Sequence, residues 1–182
     1  MTYSYFLGRA LLAFVMALAV AGKITDGDYR KAFRNSLEAF TWVPRALRPA
    51  LPAGVLAAEA ALAVLLVLPQ TAQPGLVLCA LFLVVVTAAL AAARAGGKDV
   101  RCACFGADDR PVEAWHFTRN GLLVLVAAGT FLAHDPAPAT PVPAMAAGLV
   151  ISAGLLCAVA LTHWRELAYL FGTARSGATD RG

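Results

Sequence analysis

LPAGVLAAEAALAVLLVLPQTAQPGLVLCALFLVVVTAALAAA, residues 51–93, carries a single charged side chain, Glu59. A helix crosses ~30 Å of hydrocarbon with about 20 residues, because each residue rises ~1.5 Å. The stretch is far too long for one crossing, and it is broken at Pro69-Gln70-Thr71-Ala72-Gln73-Pro74. Two prolines among polar neighbours cannot continue a helix. Two membrane spans follow, residues 51–68 and 75–93, joined by a short turn.

Outward from this pair, residues 5–22 make an earlier span with one charge, Arg9. Residues 117–133 and 143–162 make two later ones, separated by the Pro-rich segment 135–143. Composition agrees: 60% of the chain is hydrophobic and 14% charged, against about a quarter charged in soluble domains. The expected fold is all-α, an integral membrane bundle of four to five transmembrane helices with one amphipathic surface helix. One transmembrane domain over residues 1–165 and a short tail over 166–182 are expected. The first segment also has a rival reading as a cleaved signal peptide, with Ala19-Val20-Ala21 as its small-residue site. No basic residue precedes Arg9, however, and four further spans make a separate export signal unnecessary. A retained span is expected.

Basic residues sort by connection. The first holds Lys23, Arg30, Lys31, Arg34, Arg45 and Arg48, and the third Arg94, Lys98, Arg101, Arg110 and Arg119. The tail holds Arg165, Arg175 and Arg181, while the second and fourth connections hold none. The net charge of +4 is thus no nucleic-acid patch; it is a membrane orientation, with the lysine- and arginine-bearing side cytoplasmic and the N-terminus outside. Trp42, Trp115 and Trp164 fall on the same side, as an interfacial belt does. Tyr29, Phe33, Leu37 and Phe40 are spaced as one apolar helical face, with Arg30, Lys31 and Arg34 around it. Such a helix lies on anionic headgroups or packs over the mouth of the bundle.

The chemistry-bearing sequence is Arg101-Cys102-Ala103-Cys104-Phe105-Gly106, between the third and fourth spans. Two cysteines one residue apart close only a tight disulfide ring. Strain makes such a pair easily reduced and a good oxidant. Arg101 favours the thiolate, Asp108 and Asp109 oppose it if near, and Gly106 allows a sharp turn. Three readings stand on spacing alone: redox chemistry, a metal site with His116 as third ligand, or inert thiols. The metal reading lacks a fourth ligand and matches no standard zinc spacing. Cys79 and Cys157 sit at different depths in their spans and read as small packing residues, with a relay role as the alternative. Arg9 and Glu59 are costly inside hydrocarbon and are expected to face the interior as a pair that fixes helix register, with a proton or quinone-headgroup site as the functional alternative. His116, His134 and His163 sit near span ends, where interfacial anchoring is the default.

Arg9, Gly22-Lys23, Pro52, Glu59, Cys102-Ala103-Cys104-Phe105-Gly106 and Arg119-Asn120 together resemble the methylamine-utilisation protein MauE family, within the wider DoxX-like membrane proteins. The resemblance covers about residues 8–125, and the Cys-x-Cys-Phe-Gly element followed by Arg-Asn is its specific part. It implies a four-helix core plus a C-terminal helix, and a role in thiol–disulfide traffic beside a thioredoxin-like partner. Cys102 and Cys104 would be the catalytic pair, with Arg101, Phe105, Gly106, Arg119 and Asn120 in support. Family members are associated with maturation of a disulfide-rich methylamine dehydrogenase; the redox role is carried over here and the substrate is not. No metal or cofactor is implied, though a quinone belongs to the second reading, a DoxX-like quinone-coupled subunit. A non-catalytic membrane assembly factor is the third. One tension stands: disulfides form outside the cytosol, yet the charge asymmetry puts Cys102 and Cys104 inside.

Overall fold

The computed structural model describes residues 2–25, 27–38, 44, 46–96, 114–134 and 143–162. Among them are six α-helices and no strands: α1 (Thr2–Thr25), α2 (Gly27–Glu38), α3 (Leu51–Val67), α4 (Ala72–Ala95), α5 (Ala114–Leu132) and α6 (Ala144–Thr162). Single 3-10 turns at Arg48–Ala50 and Pro69–Thr71 lead into α3 and α4. The segments Tyr3–Thr25, Arg48–Val67, Pro69–Ala95 and Met145–Thr162 are long and apolar enough to cross a membrane. The tail expected at residues 166–182, together with Phe40, Trp42, His163 and Trp164, lies outside the described residues.

The break between α3 and α4 is narrower than the sequence implies. Leu68 is extended, at φ −78° and ψ 124°, Thr71 sits at φ −110° and ψ 3°, and α4 is under way by Ala72. Pro74 therefore falls in the first turn of α4, where a backbone N–H has no intrahelical acceptor to lose. The two helices make a tight hairpin. A Cβ on Gly75 would sit 3.1 Å from the Leu65 Cβ and 3.2 Å from its carbonyl carbon.

Helices α1, α3, α4 and α5 pack as a closed four-helix ring, each touching the next, with α6 laid on the outside of α1. Four stripes of side chains fill the ring. Leu12, Met16 and Ala19 come from α1, Leu62 and Leu66 from α3, Cys79 and Leu83 from α4, and Leu123 and Ala127 from α5; all are buried. The spacing of three or four residues within each stripe is the helical period that keeps one face inward. Outside, Val64, Val77, Leu81, Val85, Leu125, Leu149 and Leu156 are exposed. Apolar residues inside and out are what a bundle in lipid requires.

α5 is the least apolar of the five long helices, because His116, Arg119 and Asn120 crowd its first two turns. It nevertheless runs the full height of the ring. At one end Phe117 joins Leu90 and Ala93 of α4 in an apolar cluster. At the other, Thr130 lies where a Cβ on Gly8 of α1 would clash, and the His134 ring stands 5.2 Å from that of Tyr5. α6 reaches α1 through Gly154, whose missing side chain lets Ala10 and Leu11 approach.

Of the two placements open to the amphipathic helix, the structure takes the second. α2 packs against α1 and α3, with Phe33 buried and Leu37 set into the cluster around Leu90. Arg30, Lys31 and Arg34 remain exposed. α2 is a cover over one end of the ring.

Candidate functional site

At the level where α2 covers the ring, each of the four inner stripes turns polar. The α1 stripe Leu12-Met16-Ala19 continues to Lys23, and the α3 stripe, read from Leu66 through Leu62, continues to Glu59. The Lys23 Nζ donates to both Glu59 carboxylate oxygens at 2.6 Å, and both residues are buried, 2% and 4% exposed. The ammonium also stands 4.6 Å from the centroid of the Phe33 ring, close enough for a cation–π contact. Phe33 thereby closes the pair off from the aqueous end.

The other two stripes do the same. Cys79-Leu83 continues to Thr87 and Ala127-Leu123 to Asn120. The Asn120 Nδ2 donates to the Thr87 hydroxyl at 3.0 Å, and that hydroxyl donates in turn to the Leu83 carbonyl at 2.6 Å. Asn120 is 3% exposed, and its Oδ1 accepts no hydrogen bond. Arg119 beside it is also buried.

Arg9 and Glu59 do not pair, contrary to the sequence expectation. Glu59 takes Lys23, while the Arg9 guanidinium donates from Nε to the Leu66 carbonyl and from its second terminal nitrogen to that of Val67. The reason lies in helix polarity. α3 runs antiparallel to α1, so its C-terminus, with unpaired carbonyls and the negative end of the helix dipole, comes level with Arg9. Arg9 completes the capping of α3: the Leu68 N–H donates to the Val64 carbonyl and the Thr71 hydroxyl to that of Leu65 at 3.0 Å. All four terminal carbonyls are paired, as hydrocarbon demands.

Cys102 and Cys104, with Arg101, Phe105 and Gly106, lie outside the described residues. They belong to the connection from α4 to α5, which leaves and re-enters the ring at the end that α2 covers. Of the supporting residues, Arg119 and Asn120 are buried in α5. Cys79 and Cys157 are both free thiols, Cys79 in the core and Cys157 exposed.

Sequence reasoning placed Lys23 among the connection's charges and in the family resemblance but did not see it as the partner of Glu59, and it missed Thr87 altogether. Both were findable. Each continues an inward stripe at helical spacing, and a stripe that ends on a polar residue marks a polar level in the core.

No curated protein and no solved structure matches the chain. The family model for methylamine utilisation protein MauE matches residues 1–134, a stretch that takes in α1 to α5, the Lys23–Glu59 pair and the Thr87–Asn120 pair and leaves out α6. The protein is thus a multi-pass membrane protein that belongs to the MauE family.

Proposed function

We propose that the protein is a membrane thiol–disulfide relay in which Cys102 and Cys104 cycle between dithiol and disulfide against a thioredoxin-like partner. The observation that carries this reading is the Cys102-Ala103-Cys104 spacing itself, in the connection between α4 and α5. Exchange balances without an outside co-reactant. A thiolate of one protein attacks the disulfide of the other, a mixed disulfide forms, and the second thiolate resolves it. Two electrons and two protons pass from dithiol to disulfide. Arg101 supports the thiolate form of its neighbour.

The strained one-residue ring raises the potential of the pair above that of thioredoxin, ~−270 mV. Titration in redox buffers, read by mass after alkylation, is expected to show a two-electron transition assigned to Cys102 and Cys104. A Cys104→Ser variant is expected to trap the partner on Cys102 as a mixed disulfide. Thiols that stay reduced throughout, or that release a stoichiometric metal on modification, rule the relay out.

The charge asymmetry supports an orientation with the α2 end cytoplasmic and the Pro69–Thr71 turn outside. Gln70 is exposed in that turn and Lys31 is exposed on α2. A cysteine placed at Gln70 is therefore expected to react with a membrane-impermeant maleimide in intact cells, and one at Lys31 only after lysis. The opposite pattern places the thiols outside and makes the pair an extracytoplasmic oxidant.

A further inference from the structure

The four polar side chains at the end of the inner stripes form one layer across the ring. Lys23, Glu59, Thr87 and Asn120 each continue the face that points to the ring's centre, so they converge there. On one side of the layer lies the main core, with Met16, Leu62, Leu83 and Leu123. On the other lies the second cluster of Leu51, Leu90, Ala93 and Phe117, with Leu37 of α2. The layer is enclosed between two apolar plugs.

The hydrogen-bond accounting of this layer is lopsided. The Thr87 hydroxyl proton is committed, and the Asn120 Nδ2 gives one of its two protons to Thr87. The Lys23 ammonium gives two bonds to Glu59 and faces the Phe33 ring. Among these four side chains open acceptors outnumber open donors: the Asn120 Oδ1 and the second lone pair on each Glu59 oxygen, since a carboxylate accepts about four hydrogen bonds, stand against the second Nδ2 proton of Asn120. Open buried acceptors cost about 1–3 kcal/mol each, and the usual remedy is an ordered internal water with two or more polar partners. A ligand suited to this layer is small and donates hydrogen bonds.

We propose that the layer is an intramembrane water site that exchanges protons, with Glu59 the group that gains and loses the proton and Lys23 its fixed counter-cation. A proton that arrives from the aqueous phase as hydronium passes through the water held on the Asn120 Oδ1 to the Glu59 carboxylate, so that hydronium and carboxylate become water and a carboxylic acid. The reverse step returns it. Of the elements packed on α3, α1 turns only Lys23 toward Glu59. α4 offers Thr87 at this level and Arg94 exposed at its end. α2 contributes Phe33 inward and keeps Asp28, Arg30, Lys31 and Arg34 exposed, and the turn before α3 carries Arg48. Arg119 is buried on α5 beside Asn120. The proposal is independent of the thiol relay, since no step in it passes through Cys102 or Cys104.

Infrared difference spectroscopy on the full chain in lipid tests it. Acidification is expected to raise a carboxylic-acid C=O band that is absent from Glu59→Gln. In D2O that band is expected to shift well before the helix amides exchange. Asn120→Leu and Thr87→Val, which remove the open acceptor and its positioning partner, are expected to slow the shift about tenfold, the effect of one lost hydrogen bond, with helix content unchanged. Thr87→Val conserves volume and serves if Asn120→Leu does not fold. A purely structural ion pair predicts no such change. A Glu59 band that exchanges no faster than the helix amides, variants that exchange at the wild-type rate, or no titrating band while the protein stays folded each overturns the proposal.

Discussion

Replacing Glu59 with Gln is expected to lower stability by about 3–5 kcal/mol, the cost of leaving one buried charge without its partner. Lys23 is 2% exposed and sits between two apolar clusters, so bulk water does not solvate it, and an enclosed water replaces only part of the carboxylate's attraction. Lys23→Met leaves Glu59 alone in the same place and costs a similar amount. The double variant is expected to be far more stable than the sum of the singles. Removing both charges at once removes their desolvation penalty as well as their attraction, and paired removal is often neutral. The measurement is unfolding by SDS in mixed micelles across the full double-mutant cycle. Additive losses, within a few tenths of a kcal/mol, would mean that the 2.6 Å pair contributes nothing as a pair.

Arg9 is the second large effect, and its origin is different. Arg9→Ala frees the carbonyls of Leu66 and Val67 at the end of a membrane helix. The expected loss is about 2–4 kcal/mol, at ~1–3 kcal/mol for each unsatisfied group, with part recovered by water at the membrane edge. Arg9→Lys should restore about half, because an ammonium lacks the planar fork that reaches two carbonyls at once. Thr71→Val removes one hydrogen bond, to Leu65, and should cost about 1 kcal/mol. The same unfolding assay ranks the three. Coupling between Arg9→Gln and Glu59→Gln is expected to be near zero, because Arg9 holds the C-terminal carbonyls of α3 while Glu59 sits at the helix middle, about two turns away. A strong coupling would restore the pairing that the sequence implied.

These two residues show where sequence and structure part. That Arg9 and Glu59 need polar partners inside the protein followed from the sequence, because a bare charge in a span is costly, and the structure buries Glu59 fully and Arg9 in part. Which partner each takes did not follow. Both pairings satisfied the rough heights that residue counting allows. Packing then brought Lys23 beside Glu59 and the α3 C-terminus beside Arg9. Likewise Pro69 and Pro74 both read as helix breakers, yet only the first ends a helix, since the second lies in a first turn with no N–H bond to lose.

The sequence by itself determined the class of protein, the number and limits of its long helices to within a few residues, the apolar face through Phe33 and Leu37, and the Cys102-Ala103-Cys104 spacing. Each of these is a local quantity: apolar run length, helical period, or spacing along the chain. Only the tertiary structure decided that α2 covers the ring, that Arg9 caps α3, and that Lys23, Glu59, Thr87 and Asn120 share one level. Those facts depend on the antiparallel alignment and relative height of helices distant in sequence. Alignment is set by how bulky and small side chains interlock, Gly8 against Thr130 and Gly75 against Leu65 among them, and no single stretch of sequence carries that information.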